Sequence, residues 1–441
     1  MLNCLSLSQT TLEEIQLFLE SYALEGRALN ERQTGPEARQ ERMRSFLRRL
    51  GDPQETYKTV HIAGTTGKGS TCTYIEALLR GQGFKTGLSL SPHVSDVRER
   101  FQVSGELISE ERFKEVLERV VNVVRAMEQE EPGAPGYMEF LRGLSYSVFA
   151  EARVDYAVVE TGIGGLWDSS NTIRRSDKFC VITKLGLDHL SLLGETIDAI
   201  ALHKMGIVHP GNTVVIGLQE EISQEALRVL AEKRGAQSIW LMKDASAGRS
   251  YPPFLPSYLR QNAALAEEVC VRLAARDGWT YRQAQGADSL AQAALPLRFE
   301  QLSWKGKTLI LDAAHNPQKM RGLVQALRER FSTEALAVAI AFNPDTNCKE
   351  TLAPIASLNA RIACVDVLGG QGLYRFRFSD PCVVAEFLAS QQSPDQTVEV
   401  VTDWDPLLAW IERVPEQVIV LTGSFHFVAS ARAVVVATHS N

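Results

Sequence analysis

Cysteine is scarce and scattered in this 441-residue chain: its seven cysteines, at positions 4, 72, 180, 270, 348, 364 and 382, form no CxxC pair. That excludes a disulfide framework and a structural zinc site, and predicts reduced thiols in a cytoplasmic protein. Long apolar runs are missing as well. No stretch approaches the roughly 20 apolar residues needed to cross a bilayer, so no membrane partner is expected. The opening segment MLNCLSLSQTTLEEI has neither a basic start nor an apolar block, and reads as no signal peptide. Positive charge is not in excess, since 46 Lys and Arg face 53 Asp and Glu for a net charge of −7. General attraction to nucleic acid is thereby excluded, while a local basic pocket is not. Repeats and low-complexity blocks are lacking too.

What is present is the balance of a soluble globular protein, 45% hydrophobic and 22% charged. The length exceeds one ordinary core and suits two or three domains. Short apolar runs alternate with helical patterns, which predicts an α/β fold with mostly parallel strands. Strands are expected at residues 59–63, 85–90, 154–159, 179–183 and 213–217. A helix over 68–80 carries Tyr74, Ile75, Leu78 and Leu79 at helical spacing. Residues 245–260, with three prolines, read as a surface excursion before a helix over 262–275. Strands resume at 309–312, 335–341, 361–367, 397–401 and 418–421. The predicted organisation is a larger domain over 1–294 and a smaller α/β domain over 295–441, divided where Leu295-Pro296-Leu297-Arg298 interrupts the pattern.

One turn carries recognisable chemistry. Gly64-Thr65-Thr66-Gly67-Lys68-Gly69-Ser70-Thr71 joins a strand to a helix. Glycines let backbone N–H groups turn inward around a phosphate, and the helix N-terminus adds partial positive charge. Lys68 is placed to reach the β- and γ-phosphates, and the Ser70 hydroxyl to ligate Mg²⁺. The string is not GxxxxGK[ST], because Gly69 is inserted before the serine. A tight turn with no ligand is the bland alternative.

Glu160 follows one expected strand and His189 lies just beyond another. Residues past the carboxyl ends of parallel strands line a common crevice, so Ser70, Glu160 and His189 are candidates to share one divalent ion. Each alone reads more simply as a solvated carboxylate or a satisfied imidazole. Lys204 sits in an apolar helical stretch, where a lysine ordinarily snorkels to solvent. Near the second domain's start, Asp312 and His315 flank a small-residue turn in LDAAHNP, and Pro317 suits a helix's first turn.

With these motifs in place, the sequence resembles the folylpolyglutamate synthase/dihydrofolate synthase family, a branch of the Mur ligase superfamily. The resemblance runs in order through residues 63–71, Ser91-Pro92-His93, Glu99-Arg100, Tyr137-Met138-Glu139-Phe140-Leu141, 160–171, 186–189, 204–211, Asn262-Ala263-Ala264, 312–317 and Leu421-Thr422-Gly423-Ser424. It implies an N-terminal P-loop ATPase domain and a smaller Rossmann-like C-terminal domain. It implies a monomer that uses ATP and Mg²⁺ at two sites to join L-glutamate to a folate-type carboxylate through an acyl phosphate. Ser70, Glu160 and His189 would hold one metal, and Lys204, if carbamylated by CO₂, would support the second. Lys68 would contact phosphates, Arg298 the terminal phosphate, Asn262 the adenine and Asp312 the ribose. His315 and Ser424 would place the amino acid, while Ser91, Pro92, His93, Tyr137, Glu139 and Phe140 would line the pteroate end.

Several positions depart from the family pattern. Thr66 replaces an asparagine, Leu166-Trp167 stands for Arg-Leu, Pro296-Leu297-Arg298 for PGR, Tyr258-Leu259 for His-Gln, and Asn343-Pro344-Asp345 for Asp-Lys-Asp. They keep two alternatives open: a sibling amide ligase for a non-folate carboxylate, and a nucleotide-binding regulatory protein without ligase activity.

Overall fold

The computed structural model of the chain describes residues 10–30, 35–128, 130, 132–243, 251, 255–332, 334–343, 348–358, 360–369, 376–378, 380–391 and 397–439. The chain divides into two compact units, one of Met1–Pro252 with Leu259–Ala293, the other of Pro253–Tyr258 with Ala294–Asn441.

The first unit is built on a sheet of seven strands: β1 (Lys58–Ala63), β2 (Thr86–Ser89), β3 (Gln102–Val103), β4 (Tyr156–Glu160), β5 (Phe179–Ile182), β6 (Thr213–Ile216) and β7 (Ser238–Leu241). Their order is β3-β2-β4-β1-β5-β6-β7. All neighbours run parallel except β3, which is antiparallel to β2. The central strands are Val- and Ile-rich and buried throughout, as a sheet covered on both faces requires. The face that bears Val159, Cys180 and Ile182 is covered by Phe46, Phe113, Phe140 and Phe149 from three helices toward β4, and by Met205, Ile207 and Leu227 toward β5 and β6.

Topology decides where a ligand can sit. β4 and β5 flank β1, so the chain leaves β1 on one side to form β2 and returns across it to form β5 and β6. Ligands bind at such a reversal, outside the carboxyl ends of the strands. Register levels those ends: Ile62 lies opposite Glu160, Ala63 opposite Ile182, and Ser89 opposite Val159.

The second unit holds a sheet of β8 (Glu300–Trp304), β9 (Lys307–Leu311), β10 (Leu336–Ile340), β11 (Ala360–Asp366), β14 (Val398–Thr402) and β15 (Val418–Thr422), in the order β14-β11-β10-β15-β9-β8. Only β8 against β9 is antiparallel. A two-residue hairpin, β12 (Leu368–Gly369) with β13 (Phe376–Arg377), stands apart. Its core gathers Ile310, Leu323, Val338, Phe342, Ile362 and Val420. Asp312, Asn343 and Ser424 follow the carboxyl ends of β9, β10 and β15.

Besides the β12–β13 hairpin, three strands escape the expected set. β3 is too short to show a period, β7 is a half-exposed edge, and β8 alternates between half-buried and exposed positions in a polar sequence. The expected excursion over 245–260 is also cut short, because a helix already begins at Ser257 and runs to Asp277. Pro256 stands immediately before its first turn, where a missing N–H costs the helix nothing. Residues 244–250 and 252–254 of that segment lie outside the described residues. Among the described residues, no helix is long and apolar enough to cross a membrane.

Candidate active site

The glycine turn after β1 is braced from the neighbouring strand. Thr65 N–H and Thr66 N–H both donate to the Lys184 carbonyl, at 3.0 and 3.1 Å. The Thr65 hydroxyl donates to the Gly186 carbonyl at 2.9 Å, and Thr183 Oγ1 donates to Thr66 O at 2.8 Å. Two glycines are obligatory here. A Cβ at Gly64 would lie 1.8 Å from Thr183 Oγ1, and one at Gly67, already at φ +83°, would lie 2.4 Å from Asn262 Oδ1. Beyond Gly67 the helix Lys68–Gly81 begins, and its first N–H groups have no partner within the helix. The Lys68 amine folds back onto the Gly64 carbonyl at 3.1 Å.

At the carboxyl edge, Glu160 reaches the start of the helix that carries Ser70. Ser70 is 3% exposed, and a Cβ on the adjacent Gly69 would lie 3.6 Å from Glu160 Oε1. Glu160 Oε2 accepts the Ser91 N–H at 2.9 Å, which leaves Oε1 turned toward the helix start. A hydroxyl and a carboxylate are the kind of donors a hard divalent cation takes. His189 precedes the short helix Leu190–Leu193 in a left-handed conformation at φ 50°, half-exposed, with Nε2 4.0 Å from Asp188 Oδ1. Its segment is held to the phosphate turn through Gly186 and Thr65, whereas Glu160 reaches the same turn from β4. Among the described residues, no three His, Cys, Asp or Glu side chains form a ready metal cage. The expected set is of another kind: one hydroxyl, one carboxylate and one imidazole.

Lys204 does not snorkel to solvent as its apolar surroundings suggested. It is 3% exposed, and Nζ donates to the Gly64 carbonyl at 2.8 Å, so two lysine amines meet the same oxygen. Its helix, Ile197–Met205, is pressed against the glycine-rich loop after β4. A Cβ at Gly165 would lie 2.6 Å from the His203 carbonyl, and Leu166 N–H donates to that carbonyl at 2.7 Å. Asp168 shapes the loop by accepting N–H groups from Gly162, Ile163 and Ser170. Asn171 Nδ2 donates to the Leu166 and Gly206 carbonyls, both at 3.0 Å, and Asn171 Oδ1 accepts from His209 Nε2 at 2.8 Å. Burial and nearby cations push His209 down to about 3, so its ring is neutral. The positioning roles of Thr183 and His209 left no sequence signal, since their partners Thr66 and Asn171 are brought close only by the fold.

The segment expected at the acid substrate divides between surface and core. His93 Nδ1 accepts from Arg100 Nε at 2.7 Å, which fixes its ring. Ser91-Pro92 is a cis peptide. Tyr137 opens the helix Tyr137–Ala152 and is partly buried, with Met138 exposed beside it. Phe140, expected among the substrate contacts, is instead fully buried against Tyr22, with ring centroids 5.3 Å apart. One helical turn sends it inward while Tyr137 stays at the rim. Glu139 is likewise committed, to Arg42 at 2.7 Å and to the Gly136 N–H at 2.7 Å.

In the second unit, burial raises the Asp312 carboxyl above its usual range. Its Oδ2 accepts the Tyr258 hydroxyl at 2.6 Å and the Phe299 N–H at 2.9 Å. Arg298 lies between Leu297 and Phe299, both left-handed at φ 57° and 52°, and its Nη1 donates to the Leu297 carbonyl at 2.9 Å. His315 Nδ1 lies 2.8 Å from the Ala313 carbonyl, and Lys319 Nζ 2.8 Å from Nε2. An ammonium only donates, so Nε2 is the acceptor and Nδ1 carries the proton. Ser424, 1% exposed, donates to Asn343 Oδ1 at 2.7 Å, across β15 and β10. Pro344 and Asp345 lie outside the described residues.

Comparison with known proteins gives this geometry relatives. Residues 297–425 match the Mur ligase, glutamate ligase domain. The chain is 30% identical over 416 residues to the folylpolyglutamate synthase of Lacticaseibacillus casei, covering 89% of this chain and 93% of that one. The structure is similar to the folylpolyglutamate synthase of Thermotoga maritima, with a TM-score of 0.75, 27% identity, and coverage of 96% of this chain and 98% of that one. It is also similar to the bifunctional folylpolyglutamate synthase/dihydrofolate synthase of Yersinia pestis complexed with AMPPNP and Mn ion, with a TM-score of 0.74, 27% identity, and coverage of 90% and 93%.

Proposed function

The chain belongs to the folylpolyglutamate synthase family, and on that premise we propose how its residues carry out an ATP-dependent ligation of L-glutamate to a folate-type carboxylate. The acceptor acid is dihydropteroate or a folyl-γ-glutamate. A carboxylate is a poor electrophile, so its oxygen first attacks the γ-phosphorus of ATP. The bond to the β-phosphate oxygen breaks, ADP leaves, and an acyl phosphate forms. The amino nitrogen of glutamate then attacks the acyl carbon, and inorganic phosphate departs as the amide forms and the nitrogen loses its proton. Such steps demand positioning and neutralisation of phosphate charge more than covalent help from the protein.

The residues divide that work. Backbone N–H groups from Gly67 to Ser70 face the phosphates with the Lys68 amine. Asn262, seated against Gly67, serves the adenine end. Ser70, Glu160 and His189 hold a divalent cation, which when bound offsets the phosphate charge and orients the triphosphate. Lys204 as a carbamate serves a second cation, a reading supported by its buried seat under the phosphate turn. Arg298 and Asp312 serve the nucleotide, and His315 and Ser424 the incoming amino acid. His93 and Tyr137 meet the acid substrate.

The observation that carries this reading is the braced glycine turn with Ser70 and Glu160 beside it at the strand reversal. ADP release measured with a panel of acids plus L-glutamate tests it. Turnover is expected with dihydropteroate or a tetrahydrofolate. Turnover with another acid and none with these two overturns the folate assignment.

A further inference from the structure

Arg142 is a cation in the wrong place for a merely structural arginine. It lies on the core-facing side of the helix Tyr137–Ala152, among Leu141, Leu144 and Phe149, and is 5% exposed. Buried arginines ordinarily come paired with a carboxylate, as Arg42 does with Glu139 of the same helix. Arg142 has no such partner within 4.0 Å among the described residues. Its guanidinium instead donates to two neutral oxygens: Ser89 Oγ from Nη1 at 2.8 Å, and the Glu160 carbonyl from Nη2 at 2.9 Å. Taking an arginine out of water without a paired anion is costly, which argues for a role at the atoms it holds.

Those atoms end two adjacent strands. Ser89 closes β2 and Glu160 closes β4. Two residues past Ser89, the Ser91 N–H is the donor that fixes Glu160 Oε2. One guanidinium therefore holds Glu160 twice, at its own carbonyl and through the strand end that delivers its carboxylate's partner. With Oε2 so occupied, Oε1 is the nearer carboxylate oxygen to Gly69, the residue before Ser70.

We propose that Arg142 is a positioning residue for the cation-binding carboxylate Glu160, tying the ends of β2 and β4 so that Oε1 is presented beside Ser70. This rests on the reading that Glu160 holds a divalent cation. Arg142 touches neither the cation nor the substrate; it acts through the backbone of Glu160 and the side chain of Ser89.

The test compares Arg142→Met, Arg142→Lys and Glu160→Gln by Mn²⁺ binding in the presence of ADP, followed by electron paramagnetic resonance. Residues supporting a metal ligand typically govern affinity by ~10–100-fold, so Arg142→Met should weaken Mn²⁺ binding about tenfold. The Mg²⁺ concentration for half-maximal turnover should rise in step, while ADP binding in EDTA stays unchanged. Arg142→Lys should fall between, since one amine on a shorter stem keeps one of the two bonds. Circular dichroism and a thermal melt establish that each variant is folded, and Arg142→Lys carries the test if Arg142→Met is not. A merely structural role would lower melting temperature and leave Mn²⁺ affinity alone. Folded Arg142 variants with wild-type Mn²⁺ affinity, beside a Glu160→Gln that loses it, overturn the proposal. If Glu160→Gln also binds Mn²⁺ normally, the cation reading itself falls.

Discussion

Single side chains separate the two kinds of residue met at this site. Lys68 has a flexible amine over the phosphate turn, so Lys68→Ala should cut ATP turnover by ~10²–10³-fold with little change in melting temperature. Retention of near-normal turnover would remove the lysine from the reaction. Phe140 is the opposite case. Fully buried against Tyr22, it should cost about 3–5 kcal/mol of stability as Phe140→Ala, with the KM of the surviving enzyme for the acid substrate unmoved. Urea melts and initial rates on the same preparation decide this. Spacing of i, i+3 does bring Phe140 onto the same helix stripe as Tyr137, but one turn further along that stripe is packed into the core against Tyr22, which a motif does not record. For Lys204, only the ordinary alternative of a lysine snorkelling to solvent fails. An apolar stretch says where a lysine's stem goes, but not that the Gly64 carbonyl waits at its end.

At the scale of elements, the central strands and the first helix were legible because their signals are local: Val- and Ile-rich runs, then a glycine turn, then helical spacing. β7 and β8 were not, because edge strands bury only half their residues and lose the apolar run. Convergence of the loops was readable only in outline. A rule about strand ends brings Ser70, Glu160 and His189 to one edge, yet hydrogen bonds such as Asn171 to His209 depend on the folded register. That bond joins the glycine-rich loop to the segment after the Lys204 helix, and it has a pH signature. Burial holds His209 down to about 3, against roughly 6.5 in the unfolded chain. Between those values the unfolded chain binds a proton that the folded chain refuses, so stability falls as pH drops through 6.5 toward 3. His209→Gln should flatten this limb, seen as a smaller difference between urea midpoints at pH 7 and pH 5. An unchanged difference would place the acid sensitivity elsewhere.

Over the whole molecule, two sheets with separate cores predict that unfolding is not a single step. Calorimetry should resolve two transitions. ADP with Mn²⁺ at a hundredfold excess over Kd should raise the transition of the first unit by the equivalent of ~2.7 kcal/mol. A shift confined to the other transition would contradict the placement of the phosphate turn.

The bracing of that turn has a kinetic consequence. Thr65 and Thr66 are fastened to Lys184 by the chain's own hydrogen bonds, so the cradle's shape is set by the fold and need not be made anew at each encounter. Preorganisation of this kind lowers the ordering entropy lost on binding. Loosening the fastening, as in Thr183→Val, should therefore appear as faster nucleotide escape with arrival little altered.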